Sequence, residues 1–486
     1  MQKSIARNFL LKLILNIFNI VIPVLVGPYL ARKLGPDQMG VFNYSQTIFT
    51  YFFIFASFGV YQYGIRELSN VKNDKNRFQK VFTSIFLIST ITNVLTLVVY
   101  YIFIYFSKNE MLFMPYMILS FNFFSNIFYV EWVNEALENF DFISIKTMVV
   151  KSIYVVAIFL VVNSSKDLNQ YMIVLGLTTF LNNMLSYIYI KKDVKFNFNG
   201  LKFLEHIKAM FMIVILSNVA VLYTQLDKLM IGKFMNMDSV AFYNIAQQIS
   251  MMISALMLTF INVTVPRLTN YSANKENDKY ESLLSNVSKI YFMFLFPICV
   301  GMFVLSKQII LLYGGKQYID AIPIFSVFSI YVITIGYESI LTNQILYIKG
   351  KERELVVIGL VGGVINLIMN ILLIKFNILE AKMFIFTTML SNIIAILAQN
   401  YCVRKHFNMK FNIFSLDKLK YLFISLIFIP ISLFIKSLSL NIILTCLFII
   451  IINSSLYFFI LYIIKDKTFN NVLKSLLNKV KIRFKR

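Results

Sequence analysis

QLDKLMIGKFMNMDSVAFYNIAQQI, residues Gln225 to Ile249, has an echo about two hundred residues earlier in YLARKLGPDQMGVFNYSQTI, Tyr29 to Ile48. With a one-residue gap, Lys33 falls on Lys233, Asn43 on Asn244 and Gln46 on Gln247. Each stretch closes one long apolar segment, makes a short basic turn and opens the next. A match at one offset is the signature of an internal repeat. It predicts two copies of one unit, roughly 1–200 and 201–400.

Outside these stretches the chain is strongly apolar. It is 58% hydrophobic and 14% charged, with a mean hydropathy of +0.73, whereas soluble domains carry about 25% charged residues. That composition makes it a polytopic membrane protein. A bilayer core of about 30 Å takes about 20 apolar residues in helix, and helices satisfy their own backbone hydrogen bonds in lipid. The pattern predicts about fourteen spans: 9–31, 39–62, 82–106, 112–131, 143–163, 168–190, 208–232, 239–265, 286–306, 321–347, 354–375, 380–402, 419–437 and 440–464. The expected fold is all-α, with two pseudo-symmetric six-helix lobes (1–200 and 201–408), two peripheral spans (409–464) and a basic cytoplasmic tail (465–486).

Lys and Arg set the orientation. The even-numbered connections hold Arg66, Lys72, Lys75, Arg77 and Lys80, then Lys191, Lys192, Lys195 and Lys202, then Arg404, Lys405, Lys410, Lys418 and Lys420. The odd-numbered turns hold few, and Lys228 is read as the one basic residue inside a span. Basic loops stay cytoplasmic, so both termini are expected inside. The net charge of +23 is then a topological signal rather than a nucleic-acid surface. The N-terminal apolar run is too long for a cleaved signal and lacks an A-x-A site, so the first span is expected to act as its own insertion signal.

Candidate functional residues are polar groups within spans, which are costly in lipid and face protein or water. Asn8, Lys12, Asn16, Asn19, Pro23 and Gly27 fall on one stripe of the first span, which either lines a cavity or makes interhelical hydrogen bonds. Asp227 and Lys228 lie in the last turns of span 7. Glu338 sits well inside span 10, between Thr334 and Thr342, and could carry a coupling proton or pair with a cation. Asn366 and Asn370 read as interhelical glue. Glu131, Glu135 and Glu138 read as a solvated interfacial face. In the tail, Leu473, Leu476, Leu477, Val480 and Phe484 recur among Lys and Arg as in a basic amphipathic helix on an anionic leaflet; a plain positive-inside anchor is the alternative. Cys299, Cys402 and Cys446 read as packing residues. No metal site, Walker sequence or catalytic carboxylate pair stands out, and no cofactor is expected.

Several stretches, in this order, resemble the polysaccharide repeat-unit flippases of the Wzx (RfbX) type, in the MOP superfamily that also holds the MATE exporters. They are a loose P-x-L-x-x-x-L-G-x-x-x-x-G pattern at Pro28 to Gly40, Trp132 through Glu138 with Phe142, Leu226-Asp227-Lys228 through Ile231-Gly232 to Tyr243, and Val265-Pro266-Arg267. Further on come Tyr318 to Pro323, Asn343-Gln344-Ile345-Leu346 before Gly350-Lys351-Glu352, and Asn366 with Asn370. The loop WVNEALE departs from the W-x-x-Q-G-x-E often found there, with Glu135 and Ala136 in place of Gln-Gly.

The resemblance implies a MATE-like fold and a flippase. Its substrate would be an undecaprenyl-diphosphate-linked oligosaccharide, moved from the inner to the outer leaflet of the bacterial cytoplasmic membrane for O-antigen or capsule synthesis. Transport would run by alternating access of the two repeats. Membrane lipids, a coupling ion (proton or sodium) and a polysaccharide polymerase are the implied partners. The pyrophosphate would need cations, for which Lys12, Arg66, Lys228 and Arg267 are the candidates. Asn16, Asn19 and Asp227 would supply polar lining. A MATE-type drug or cation antiporter is the rival within the fold, although the first span lacks an acidic cluster. A polymerase or ligase is the enzyme rival, although no large outer loop is present to carry catalytic groups.

Overall fold

In a computed structural model of the chain, residues 5–407 and 409–483 are described, with side chains outside 5–13, 16–17, 20, 215–220, 222–223, 475–476 and 478–483. The described residues contain no β-strand. Twelve helices among them are long and apolar enough to cross a membrane. The first of these, Val21–Asn70, takes in the second half of the first predicted span and all of the second. The predicted span 208–232 is not among the twelve, and several of its side chains lie outside the description. The chain is a multi-pass α-helical membrane protein. It divides into two compact units, Met1–Ala241 and Phe242–Arg486, a boundary about one span later than the repeat suggests.

The first unit contains α1 (Ile5–Ser57), α2 (Val60–Asn70), α3 (Lys75–Ser107), α4 (Glu110–Ile127), α5 (Glu131–Ala136), α6 (Phe140–Val161), α7 (Leu168–Lys191), α8 (Phe203–Thr224) and α9 (Leu226–Phe234), and the start of α10 (Met237–Asn262). Gly35, at φ 76° and ψ 170°, breaks α1 between its two apolar stretches. Pro36 follows and disfavours a helical conformation in the residue before it. One core packs Phe49, Tyr100 and Phe123 between α1, α3 and α4. A second, toward Arg66 and Lys72, gathers Tyr63, Phe82, Trp132 and Met210.

The two echo stretches meet within this unit. A Cβ on Gly40 would lie 1.9 Å from the Met237 carbonyl oxygen, and one on Gly232 would lie 2.1 Å from the Tyr44 ring. Close backbone approach over small residues is how helices pack in lipid, where apolar burial gives little drive. Consistent with a lipid surround, Leu95, Val99, Leu160 and Leu177 are more than half exposed.

The second unit contains most of α10, then α11 (Val265–Ala273), α12 (Asn277–Val304), α13 (Ser306–Gly314), α14 (Ala321–Ser339), α15 (Glu352–Lys375), α16 (Ala381–His406), α17 (Leu416–Ser425), α18 (Phe428–Ser437), α19 (Ile442–Ile463) and α20 (Lys467–Arg483). α14 runs on into a π-helical turn over Ile340–Leu346. Its wide winding shows in the bond from Tyr347 N–H to the Thr342 carbonyl, 2.9 Å. Asn366 donates to Thr388 at 2.8 Å, Thr387 donates to Asn370 at 2.6 Å, and Asn370 donates to Asn366 at 3.3 Å. The two asparagines therefore fasten α15 to α16. The tail helix α20 is capped at its start by Asp466, which accepts from Phe469 N–H at 2.8 Å and pairs with Lys420. Leu476, Val480 and Phe484 of the expected apolar tail stripe lie outside the described side chains.

Candidate functional site

Two polar contacts of the first unit, to Asn19 and to Glu131 with Ser186, meet on α6. The sequence reading placed one basic residue inside a span, and α6 corrects it. Lys146 and Lys151 both lie within the membrane-crossing Phe140–Val161. Five residues separate them, so they project about 140° apart around the helix. Lys151 turns to α1 and donates to Asn19 Oδ1 at 2.6 Å. Lys146 turns to α5 and α7. Its Nζ lies 2.9 and 3.1 Å from the two Glu131 oxygens and 2.6 Å from Ser186 Oγ, which itself donates to Glu131 at 2.6 Å.

That arrangement also corrects the expected solvated face. Glu131 is 13% exposed and Lys146 2%, so Glu131 belongs to a closed ion pair. Helical spacing could not separate the three glutamates, because α5 ends at Ala136 and Glu138 adopts φ 57° beyond it. Glu135 accepts from Tyr61 at 2.9 Å, and Glu138 pairs with Lys72 at 3.0 Å on the surface. A signal for Lys146 and Lys151 was present in the sequence: two lysines inside the apolar run 143–163, where an ionisable residue marks a functional position by default.

The remaining candidates are dispersed. Lys12 and Asn16 lie outside the described side chains. Asp227 and Lys228 are both buried on α9 and interact with each other electrostatically. Arg66 has a 59% exposed side chain, pairs with the adjacent Glu67 at 3.2 Å and lies 5.3 Å over the Tyr63 ring. In the second unit, Arg267 is exposed and donates to Tyr271 OH at 3.1 Å. Glu338 on α14 accepts from Asn392 Nδ2 on α16 at 2.6 Å, two residues before the π-helical segment. Among the described residues no group of three or more His, Cys, Asp and Glu could hold a metal ion.

Chemically, α6 offers two amine donors within a membrane-crossing helix. Lys146 is neutralised by Glu131. Among the described residues Lys151 is held by a neutral amide and pairs with no carboxylate. Such a group suits the binding of a phosphate or pyrophosphate rather than bond making.

Comparison with known proteins gives this arrangement a setting. The sequence profile of a family described as "Polysaccharide biosynthesis protein" matches residues 5–272. A curated relative from Shigella dysenteriae, titled "Putative O-antigen transporter", is 20% identical over 366 residues, 74% of this chain and 91% of its own length. One of the same title from Escherichia coli strain K12 is 21% identical over 34% of this chain and 40% of its own. Among solved structures, the lipid II flippase MurJ in an inward-closed conformation superposes with a TM-score of 0.71 at 18% identity, over 93% of this chain and all of its own. An inward-facing MATE multidrug transporter of the MOP superfamily superposes with a TM-score of 0.64 at 13% identity, over 80% and 94%. At these identities the two structures establish a shared fold.

Proposed function

Because the chain belongs to the polysaccharide biosynthesis protein family, we propose that it is a flippase. It moves undecaprenyl-diphosphate-linked oligosaccharide repeat units across the bacterial cytoplasmic membrane for O-antigen or capsule synthesis. The observation that carries this reading is the match over most of an O-antigen transporter's length, on the fold shared with a lipid II flippase.

On this reading the sugar head requires a hydrated path, the lipid tail remains in the bilayer, and the pyrophosphate requires cations. Lys151, with Asn19, joins Lys12, Arg66, Lys228 and Arg267 as groups proposed to serve it, and Asn16 and Asp227 as polar lining. A lysine amine is a point charge free to follow a moving phosphate, where arginine would clamp it. Transport proceeds by alternating access.

Glu338, bonded to Asn392, carries the coupling ion, proton or sodium. Glu338→Gln then abolishes transport at unchanged thermal stability; normal transport by that variant removes the role. Both termini and the 66–80, 191–208 and 402–420 connections lie in the cytoplasm. Cysteines placed in those connections would resist an impermeant thiol reagent added to intact cells, and labelling from outside reverses the orientation. A polysaccharide polymerase that consumes the flipped units is the partner.

The experiment for the function itself is mass spectrometry of lipid extracts from a deletion strain. Completed lipid-linked repeat units accumulate there if the reading holds. A lipid profile like that of the parent strain refutes it.

A further inference from the structure

The first unit contains a cavity of about 390 Å³, within the roughly 300–1,000 Å³ range of small-molecule sites. It opens where the chain breaks between α1 and α2, at Phe58 and Gly59, both with left-handed φ. Its walls include Phe53, Tyr61, Gln62, Asn126, Tyr129 and Asn183, and no lining side chain is ionised.

The hydrogen bonding of the walls is arranged toward a guest. Asn126 spends its amide N–H on Asn93 at 3.1 Å, and Asn183 spends its own on Ser125 at 3.1 and 3.2 Å. Each keeps a carbonyl oxygen that accepts from nothing in the protein among the described residues. Gln62 and Tyr129 have no side-chain hydrogen-bond partner among the described residues either. Tyr61 is fixed by its bond to Glu135. The cavity therefore combines two aromatic faces with free acceptors and donors, and a carboxylate stands behind one wall.

We propose that this cavity is a glycan subsite that holds one uncharged sugar ring of the lipid-linked substrate; the proposal rests on the flippase reading above. The C–H faces of a pyranose lie against Phe53 and Tyr61. Its hydroxyls donate to the Asn126 and Asn183 carbonyls and accept from Tyr129 and Gln62. The pyrophosphate is excluded, because nothing in the lining is cationic and an anion would meet Glu135. The same repulsion selects neutral and N-acetylated sugars against uronic acids.

The test measures binding to purified protein in lipid nanodiscs with four probes: undecaprenyl diphosphate alone, and the same lipid bearing one neutral hexose, one N-acetylhexosamine or one hexuronic acid. At least one neutral-sugar lipid binds about tenfold tighter than the bare lipid, the worth of one or two hydrogen bonds, and the uronate lipid gains nothing. Gln62→Leu and Tyr129→Phe reduce the sugar-bearing lipid to bare-lipid affinity. Neither side chain has a hydrogen-bond partner to lose among the described residues, so both variants are expected to fold. If every neutral-sugar lipid binds only as the bare lipid does, or if both variants retain the gain, the subsite is refuted and the flippase reading stands. If bare undecaprenyl diphosphate itself does not bind, the flippase reading falls and takes the subsite with it.

Discussion

Lys146 and Glu131 form a closed ion pair, Nζ to Oε2 2.9 Å, with Ser186 hydrogen-bonded to both partners. Burying two charges costs several kcal/mol per ion before their attraction is counted. The pair is therefore better understood as fixing how α5, α6 and α7 meet than as a large net stabiliser. Removing one partner leaves the other charge buried and alone.

Lys146→Met should accordingly lower stability by about 3–5 kcal/mol. Adding Glu131→Gln to it should recover most of that loss, because the orphaned carboxylate is gone. Thermal unfolding of purified single and double variants measures both. A double variant no more stable than Lys146→Met would show that the two charges do not act as a pair.

The contact between the repeat stretches gives a second expectation. Gly40→Ala should destabilise by about 1–3 kcal/mol or more, because its methyl group would meet backbone of Met237 at 1.9 Å, which cannot rotate away. Gly301 on α12 has nothing within 4 Å of a built Cβ, so Gly301→Ala should be neutral or gain about 0.5–1 kcal/mol from helix propensity. Unfolding midpoints compared side by side would decide, and equal effects at the two sites would contradict the close crossing.

His206, ahead of the predicted span 208–232, bonds to Tyr63 OH at 2.7 Å. Burial holds its pKa below the usual 6.5, against the opposing pull of Glu67 and Glu205. The unfolded chain therefore takes up a proton at a higher pH than the folded one. Stability from this group is complete above about pH 6.5 and is lost as pH falls through the folded value, with a slope of at most about 1.4 kcal/mol per pH unit. His206→Phe should flatten that part of the pH profile of unfolding. A variant with the wild-type slope below pH 6.5 would assign the slope to other groups.

Most of the helical architecture was legible in the sequence, because an apolar run of about 20 residues has few other uses. Lys33, Asn43 and Gln46 with their counterparts suggested a repeat, and its two stretches lie against each other at Gly40 and Gly232 within the first unit. The turn expected between 31 and 39 falls at Gly35, whose non-helical φ and ψ part the two halves of Ile5–Ser57; the π-helical turn after Ser339 was not legible, since it depends on backbone geometry. The site was less legible. Helical spacing suggested one face for Glu131, Glu135 and Glu138, but α5 is only six residues long and sends the three to different partners. Asn366 and Asn370 behaved as the sequence suggested, because an i, i+4 pair in a span faces one neighbouring helix. Lys151 was missed, although Asn19, its partner across 132 residues, was singled out; single-chain periodicity does not say which helix a stripe will face.

The most direct measurement is lipid translocation in reconstituted vesicles. Fluorescent undecaprenyl-diphosphate-linked oligosaccharide is placed in both leaflets of proteoliposomes, and a membrane-impermeant quencher is added outside. The account predicts that vesicles with the wild-type protein lose inner-leaflet fluorescence as the lipid crosses, and that Lys151→Ala slows the loss about tenfold or more, as expected where a charged contact to phosphate is removed. Wild-type vesicles in which quenching stops at the outer leaflet, as it does in protein-free vesicles, would contradict the flippase assignment.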